Sequence, residues 1–156
     1  MYAYIIVVLA KTVRKFRYLP HTADVAFVGY GTDLKSAMSN AALALLNTML
    51  DLKAIEKDRS AQAAITIRES AHDYDELAWF VLQDILSKVD ARKLNAFRFD
   101  VLEIKEAKGA VRLSGRLAYK KSKSDYALLS VKAVTPHNLH VRHRGKSCSI
   151  TVVVDV

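Results

Sequence analysis

The chain has 156 residues, of which 51% are hydrophobic and 26% charged, a balance that excludes a disordered or fibrous protein and fits one folded domain. Its formal net charge of +8 favours acidic or polyanionic partners through long-range attraction, although the same charge could simply serve solubility. The single cysteine, Cys148, excludes an internal disulfide, so no oxidising compartment is required and we expect the protein in the cytoplasm.

An apolar run opens the chain at residues 2–10. It is far shorter than the roughly 20 residues that span a bilayer. Basic residues follow the run instead of preceding it, which is the reverse of a secretory signal. We therefore interpret residues 1–15 as an N-terminal extension or an extra strand, and residues 16–156 as a single domain.

Two segments have the periodicity of amphipathic helices. In residues 33–50 apolar side chains recur every three or four positions, with Thr32 as the expected N-cap. Residues 73–89 repeat the pattern, and Asp73 followed by Glu76 resembles a capping box. The side chains that we expect to be buried include Leu45, Leu46, Trp79, Val81 and Leu82.

Most remaining segments alternate apolar and polar residues, as half-buried strands do. Turn-like stretches separate several of them, which favours antiparallel hairpins. The predicted strands are residues 24–29, 64–68, 97–105, 111–119, 126–134, 139–144 and 147–155. Helices early and strands late predict an α+β fold, a mainly antiparallel sheet with two amphipathic helices packed on it.

No catalytic motif of the phosphate-loop, nucleophile-elbow or metalloprotease type is present, so we expect a protein that is not an enzyme. His137, His140, His143 and Cys148 lie close together in sequence and have the residue types of a zinc site. If residues 139–144 form a strand, however, His140 and His143 face opposite sides of it. The sequence therefore argues against zinc, and we interpret the histidines as a partly solvated group that is either compatible with RNA contact or merely structural.

Two groups of basic residues flank predicted turns, where side chains are exposed. They are Lys120, Lys121 and Lys123 in the first group, and Arg142, Arg144 and Lys146 in the second. Both groups could contact phosphate. Neither contains the interleaved aromatic residues of a base-stacking surface, so solvated loop charge is the alternative interpretation.

Several short motifs occur in a fixed order along the chain. Residues 21–24 read His-Thr-Ala-Asp and precede a predicted strand and a Tyr-Gly turn into the first helix. Residues 75–79 of the second helix read Asp-Glu-Leu-Ala-Trp, and residues 131–135 read Val-Lys-Ala-Val-Thr with His137 close behind. Residues 152–156 read Val-Val-Val-Asp-Val.

These motifs, in this order, resemble the archease family over residues 16–156. The resemblance implies the archease-like α+β fold. Two positions depart from the family pattern, since Pro20 replaces a usually acidic residue and Pro136 a usually aromatic one. Because proline removes a backbone donor, we expect Pro136 to mark a strand break or a bulge, which affects the role of His137.

The resemblance also implies a divalent-cation site formed by Asp24, Asp155 and the terminal carboxylate of Val156. All-oxygen ligation favours Ca²⁺, with Mg²⁺ as the alternative, over zinc. From the residues alone, Asp24 could instead cap a turn and Asp155 could be a solvated charge near the chain end.

Archeases assist the RtcB-type RNA-splicing ligase by promoting its guanylylation and multiple turnover, so the resemblance implies that this chain is an accessory protein in tRNA splicing. Lys132, His21 and His137 are then the expected partner contacts, although Lys132 could also neutralise the acidic cluster. Two alternatives remain open: a chaperone or specificity modulator of a tRNA-modifying methyltransferase, and direct tRNA binding by the basic loops. No membrane partner is expected.

Overall fold

The computed structural model describes residues 14–156, so the expected N-terminal extension lies almost entirely outside the described residues. The division of the chain at residue 16 stays a prediction. In chain order the elements are β1 (Phe16–Leu19), β2 (Val25–Gly31), α1 (Leu34–Met49), α2 (Leu52–Lys57), β3 (Gln62–Ala71), α3 (Tyr74–Arg92), β4 (Asn95–Ala107), β5 (Ala110–Lys120), β6 (Ala133–Arg144) and β7 (Ser147–Asp155).

The strands form two antiparallel sheets, with the orders β1-β2-β7-β6 and β3-β5-β4. Helix α1 packs on β2 and β4, and α3 packs on β6 and β3, so each long helix contacts both sheets. The hydrophobic core lies where the helices meet the inner faces of the sheets. The predicted α+β class and the antiparallel pairing are confirmed, and the structure divides the strands between two sheets.

Both predicted helices are present, with one correction to their caps. The N-cap of α1 is Asp33, not Thr32, because the Asp33 carboxylate accepts a hydrogen bond from the Ser36 N–H at 2.8 Å. The Ser36 hydroxyl lies 3.3 Å from the Asp33 N–H and completes a capping box. Asp73 caps α3 as predicted. No helix within residues 14–156 is long and apolar enough to cross a membrane.

Four of the five side chains predicted to be buried are fully enclosed: Leu45, Leu46, Val81 and Leu82. Trp79 is only half-buried and packs against the edge of the core. Its indole N–H donates to the Val134 carbonyl at 2.9 Å, where α3 crosses β6. An aromatic ring with a polar atom commonly occupies such a boundary position, because the ring is buried while the N–H keeps a partner.

The predicted strand over residues 126–134 is wrong for most of its length. Strand β6 begins only at Ala133, and the preceding residues pair with the end of α1. Ala127 forms an isolated bridge with Leu50, and the Leu128 N–H donates to the Met49 carbonyl at 2.8 Å. The apolar spacing is that of a strand, but the backbone partner is a helix end, which periodicity cannot reveal.

Two carboxyl groups come together where α3 packs on β3. Burial, together with a hydrogen bond to Asp84 and the negative charge of Asp84, raises the pKa of Glu69 above its ordinary value. Lys88 lies 2.8 Å from Asp84 and offsets part of this effect. The folded protein therefore holds a proton on Glu69 at a pH where the unfolded chain releases it.

Replacing Glu69 by Gln is expected to flatten the pH dependence of stability. Between the ordinary pKa of a glutamate and the raised value, the folded state binds more protons than the unfolded state, so the free energy of unfolding falls as pH rises. The variant lacks this pH-dependent loss, so its free energy of unfolding at pH 7 should equal or exceed that of the parent. The difference should be less than about 1 kcal/mol because Glu69 is partly exposed. Urea unfolding across this range, with Glu56→Gln as an exposed control, measures the difference. A Glu69→Gln variant that is less stable than the parent at pH 7 would contradict this account.

Candidate metal centre

Asp24 and Asp155 lie at the same end of the four-stranded sheet because of the register between β2 and β7. Val25 of β2 pairs with Val154 of β7 in the antiparallel sense. Asp24 directly precedes β2, in a bend, and Asp155 is the last residue of β7, so both lie just beyond the Val25–Val154 pair at this end of the sheet. Asp155 is exposed and Asp24 half-buried, so solvent reaches this corner.

Val156 and Lys132 lie at the same corner. The Lys132 N–H donates to the Asp155 carbonyl at 2.7 Å, and Ala133 pairs with Asp155. The Val156 side chain packs against the core, which fixes the main chain after Asp155. If Val156 ends the protein, its carboxylate lies next to Asp155, with the exposed Lys132 directly before the neighbouring strand β6.

Two side chains of α3 hold the strand that carries Lys132. The Trp79 indole N–H donates to the Val134 carbonyl at 2.9 Å, and the Val134 N–H donates to the Gln83 amide oxygen, also at 2.9 Å. Trp79 and Gln83 are four residues apart and therefore share a helix face. The sequence analysis missed Gln83, since an amide on a helix has no distinctive signal until the strand that it contacts is known.

The loop that carries Asp24 is anchored through β1. The Tyr18 hydroxyl lies 3.1 Å from the Thr48 hydroxyl and accepts a hydrogen bond from the Asn47 amide at 2.9 Å, which ties the β1–β2 hairpin to α1. The exposed residues 20–23 join these strands, and His21 lies three positions before Asp24. His21 is thus close to the acidic corner in sequence and open to a partner.

His137 lies further from the corner than the motif order suggests. The register of β6 against β7 shifts between Thr135 and His140, so residues 136–139 form a bulge opposite the single residue Val152. This irregularity confirms the prediction that Pro136 marks a strand break or a bulge. His137 is exposed in the bulge, four residues along the chain from Ala133.

The other residues of the zinc-like group form no cluster within residues 14–156 that could hold a metal ion, although His143 and Cys148 are partners in the β6–β7 register. His140 is exposed, with Nδ1 3.9 Å from an Asp75 oxygen, whereas the His143 ring lies 5.9 Å from the Tyr74 ring. Cys148 is only 2% exposed. Burial, and then the negative charge of Asp33, raises the pKa of its thiol, which disfavours the reactive thiolate.

The donors at the acidic corner suit a hard divalent cation. Two Asp side chains and a main-chain carboxylate offer only oxygen, the ligand type of Ca²⁺ and Mg²⁺. Within residues 14–156 no group of three or more His, Cys, Asp or Glu side chains could hold a metal ion. A three-carboxylate site at Asp24 and Asp155 therefore depends on the main-chain carboxylate of Val156.

The fold and the corner define a small α+β protein in which two antiparallel sheets enclose a pair of helices and two aspartates lie at the end of one sheet. A model of the Archease protein family (MTH1598/TM1083) matches residues 16–156. The chain belongs to the archease family.

Curated relatives match nearly the whole chain. The archease of Methanosarcina acetivorans is 29% identical over 92% of this chain and 97% of its own length, and that of Archaeoglobus fulgidus is 30% identical over 91% and 99%. The solution structure of protein 1598 from Methanobacterium thermoautotrophicum has a TM-score of 0.77 and 25% identity, and covers 91% of this chain and 99% of that one. An archease from Thermotoga maritima, described as a possible chaperone, shares the fold at a TM-score of 0.51 and 17% identity, over 90% of this chain and 96% of that one.

Proposed function

We propose that this archease is a non-catalytic accessory protein that activates an RtcB-type RNA-splicing ligase through the corner formed by Asp24, Asp155 and Val156. The observation that supports the proposal is the β2–β7 pairing, which brings the start of β2, just after Asp24, and the end of β7, at Asp155, to the same solvent-open end of the sheet. Carboxylates so arranged repel one another unless a cation joins them.

The three carboxylates would hold Ca²⁺, or alternatively Mg²⁺. When bound, the cation supplies positive charge at the tip of the sheet, where it can accept a phosphate or carboxylate oxygen of the ligase. The chain's own residues position that charge: β2 and β7 set the spacing of Asp24 and Asp155, and the core contact of Val156 holds the last main-chain group.

Lys132 has two possible roles at the corner. Its side chain is exposed, while its backbone N–H is bound to the Asp155 carbonyl, so the ammonium group extends from a fixed point. It could pair with a ligase carboxylate or a phosphate, or it could reduce the repulsion among the corner carboxylates. In either role, His21 in the β1–β2 connection and His137 in the bulge of β6 are both exposed and offer imidazoles for contact with the partner.

The proposal is tested by following guanylylation of the ligase histidine with labelled GTP. Addition of this protein should raise the rate and extent of nucleotide transfer, whereas the protein alone should transfer none, because it lacks a recognisable nucleophile and base arrangement. Unchanged guanylylation at saturating protein would refute the proposal, as would nucleotidyl transfer by the protein alone.

A second candidate function is that of a chaperone or specificity modulator for a tRNA-modifying methyltransferase. Leu128 and Leu129 favour it, since they are 64% and 42% exposed beside a groove of about 730 Å³ between the ends of α1 and α3. Exposed apolar side chains of this kind suit contact with another protein. Copurification at moderate salt with the ligase, the methyltransferase and tRNA separates the two candidates by which protein is retained. Retention through tRNA instead should weaken steeply as salt rises, whereas a shape-specific protein contact survives salt better.

A further inference from the structure

The three-stranded sheet β3-β5-β4 has one open face. Along β5 the buried residues Val111, Leu113 and Leu117 alternate with Arg112, Ser114 and Arg116, which face away from the core. Strand β3 follows the same alternation, with Arg68 exposed next to the buried Ile67. Helices α1 and α3 cover the inner face, so within residues 14–156 this outer face is open to solvent.

Three arginines form a triangle on this face. Arg68 of β3 pairs with Ser114 of β5, and Ser114 lies between Arg112 and Arg116 on the same side of its strand. Arg68 is therefore the diagonal neighbour of both β5 arginines, at roughly 7–8 Å. A shallow depression of about 620 Å³ lies beside Arg68 and Arg112 and is also lined by Ser70, Ser114, Glu103 and Lys105, whereas Arg116 is not among its lining residues. We call Arg68, Arg112 and Arg116 the arginine triad.

The acidic residues of the same face form salt bridges with basic side chains outside the triad. Arg98 lies 2.8 Å from Asp100, and Lys105 lies 3.2 Å from Glu103, along β4. Within residues 14–156 no member of the triad forms a salt bridge at 4 Å or less. Residues 1–13 contain no Asp or Glu in the sequence. Asp100 lies opposite Arg116 and Glu103 lies opposite Ser114 in the register of β4 with β5, so these two carboxylates offset part of the charge. The face carries five basic side chains (Arg68, Arg98, Lys105, Arg112 and Arg116) against these two acidic ones and therefore keeps an excess of positive charge.

The chemistry of the triad suits the oxygen atoms of phosphate groups. Guanidinium groups bind phosphate oxygens in pairs and keep their charge at every physiological pH. The flanking side chains Thr66, Ser70 and Ser114 offer hydroxyl groups as further donors. The exposed positions of β3 and β5 on this face carry no aromatic ring, so bases have nothing to stack on.

We propose that the outer face of β3-β5-β4 is a docking surface for the phosphate backbone of a nucleic acid, with the arginine triad as its centre. The surface positions the strand without reading its bases, because it offers charge and hydroxyl groups but no stacking platform. It belongs to the sheet that lacks Asp24 and Asp155, so the inference goes beyond the ligase proposal and does not depend on it.

The test compares the parent with the triple variant Arg68→Gln, Arg112→Gln, Arg116→Gln by fluorescence anisotropy of a labelled RNA hairpin. A matched control removes three exposed charges elsewhere, through Lys121→Gln, Lys123→Gln and Lys146→Gln. Affinity is measured between about 50 and 200 mM salt, where phosphate contacts weaken steeply. Circular dichroism verifies that both triple variants are folded.

We expect the arginine variant to lose at least about tenfold in affinity and to lower the salt slope by about 3, one for each lost phosphate contact. The lysine control should stay within about threefold of the parent. A DNA hairpin of equal sequence should bind as tightly as RNA if phosphate alone is recognised, and more weakly if the serine and threonine hydroxyl groups also contact the 2′-OH. Both results agree with the proposal, and they distinguish a general phosphate-backbone surface from one that prefers RNA.

Three results would overturn this inference. The parent could fail to bind either hairpin at the lowest salt. The lysine control could lose as much affinity as the arginine variant, which would assign binding to the basic loops. Polyglutamate could compete as strongly as RNA, which would mean that the triad recognises acidic protein surfaces.

Discussion

Replacing Asp24 by Asn is expected to weaken Ca²⁺ binding by at least about tenfold, and Asp155→Asn should do the same. Changes to groups that only hydrogen-bond to metal ligands already cost about 10–100-fold in metal affinity, and each of these substitutions removes a charged ligand itself. The fold should be unaffected, since Asp155 is exposed and Asp24 lies outside the hydrophobic core. Calorimetric titration with Ca²⁺ measures the affinity, and ligase activation should fall in the same proportion.

Two further variants sharpen this prediction. Asp90→Asn removes an exposed negative charge in the last turn of α3, from a residue that is not one of the three corner ligands, and should leave Ca²⁺ affinity unchanged. Residues added after Val156 replace its carboxylate by a peptide carbonyl, which Ca²⁺ accepts, so affinity should fall by less than in the Asn variants. Parent-like cation binding by both Asn variants and the extended chain would show that the site is misassigned.

Replacing Gly29 by Ala is expected to destabilise the fold by about 3 kcal/mol or more. A Cβ at this position would lie 2.5 Å from the backbone N of Ala41 and 2.8 Å from its Cβ, so α1 must move away from β2. The contact is with helix backbone, which cannot rotate aside as a side chain can. Chemical denaturation at a fixed pH measures the loss as a lower transition midpoint.

Gly109→Ala is the matched control for this steric effect. A Cβ there meets nothing within 4 Å, but φ is +77°, so the cost is conformational and about 1–2 kcal/mol. Gly29→Ala should therefore be clearly the less stable of the two variants. If the Gly29 variant is as stable as the Gly109 variant, α1 and β2 are not packed as closely as described.

The sequence predicts the two long helices well because their apolar period is long and strong. The segments predicted at residues 33–50 and 73–89 correspond to α1 and α3 within a few residues. Helix α2 is only six residues long and leaves too little periodicity to detect. The exact cap also needs the structure, since Thr32 and Asp33 are both good N-caps and only the bond to Ser36 distinguishes them.

The division into two sheets could not be read from the sequence. Alternation shows that a segment is a half-buried strand, but strand order depends on contacts between distant residues, such as β2 with β7. The same limit explains the wrong strand at residues 126–134, whose apolar residues pair with the end of α1. Pro136 was informative because a missing backbone donor has a direct structural consequence in a sheet.

The candidate site, too, could be predicted only in part from the sequence. Composition alone leaves Asp24 and Asp155 as two distant charges, and only the family resemblance connected them before the fold was known. The strand register then supplies a physical reason for their proximity. The arginine triad had no signal in the sequence, since Arg68 and Arg112 are 44 positions apart and become neighbours only through the pairing of β3 with β5.

The central claim is that this protein activates an RNA ligase through its acidic corner. Its most direct test is the number of joined RNA ends formed per ligase molecule, with no addition, with the parent, with Asp24→Asn and with Asp90→Asn. We expect the parent and Asp90→Asn to raise the ligase from about one turnover to many, and Asp24→Asn to leave it near the level without addition. Equal stimulation by Asp24→Asn and the parent, or no stimulation by either, would contradict the claim.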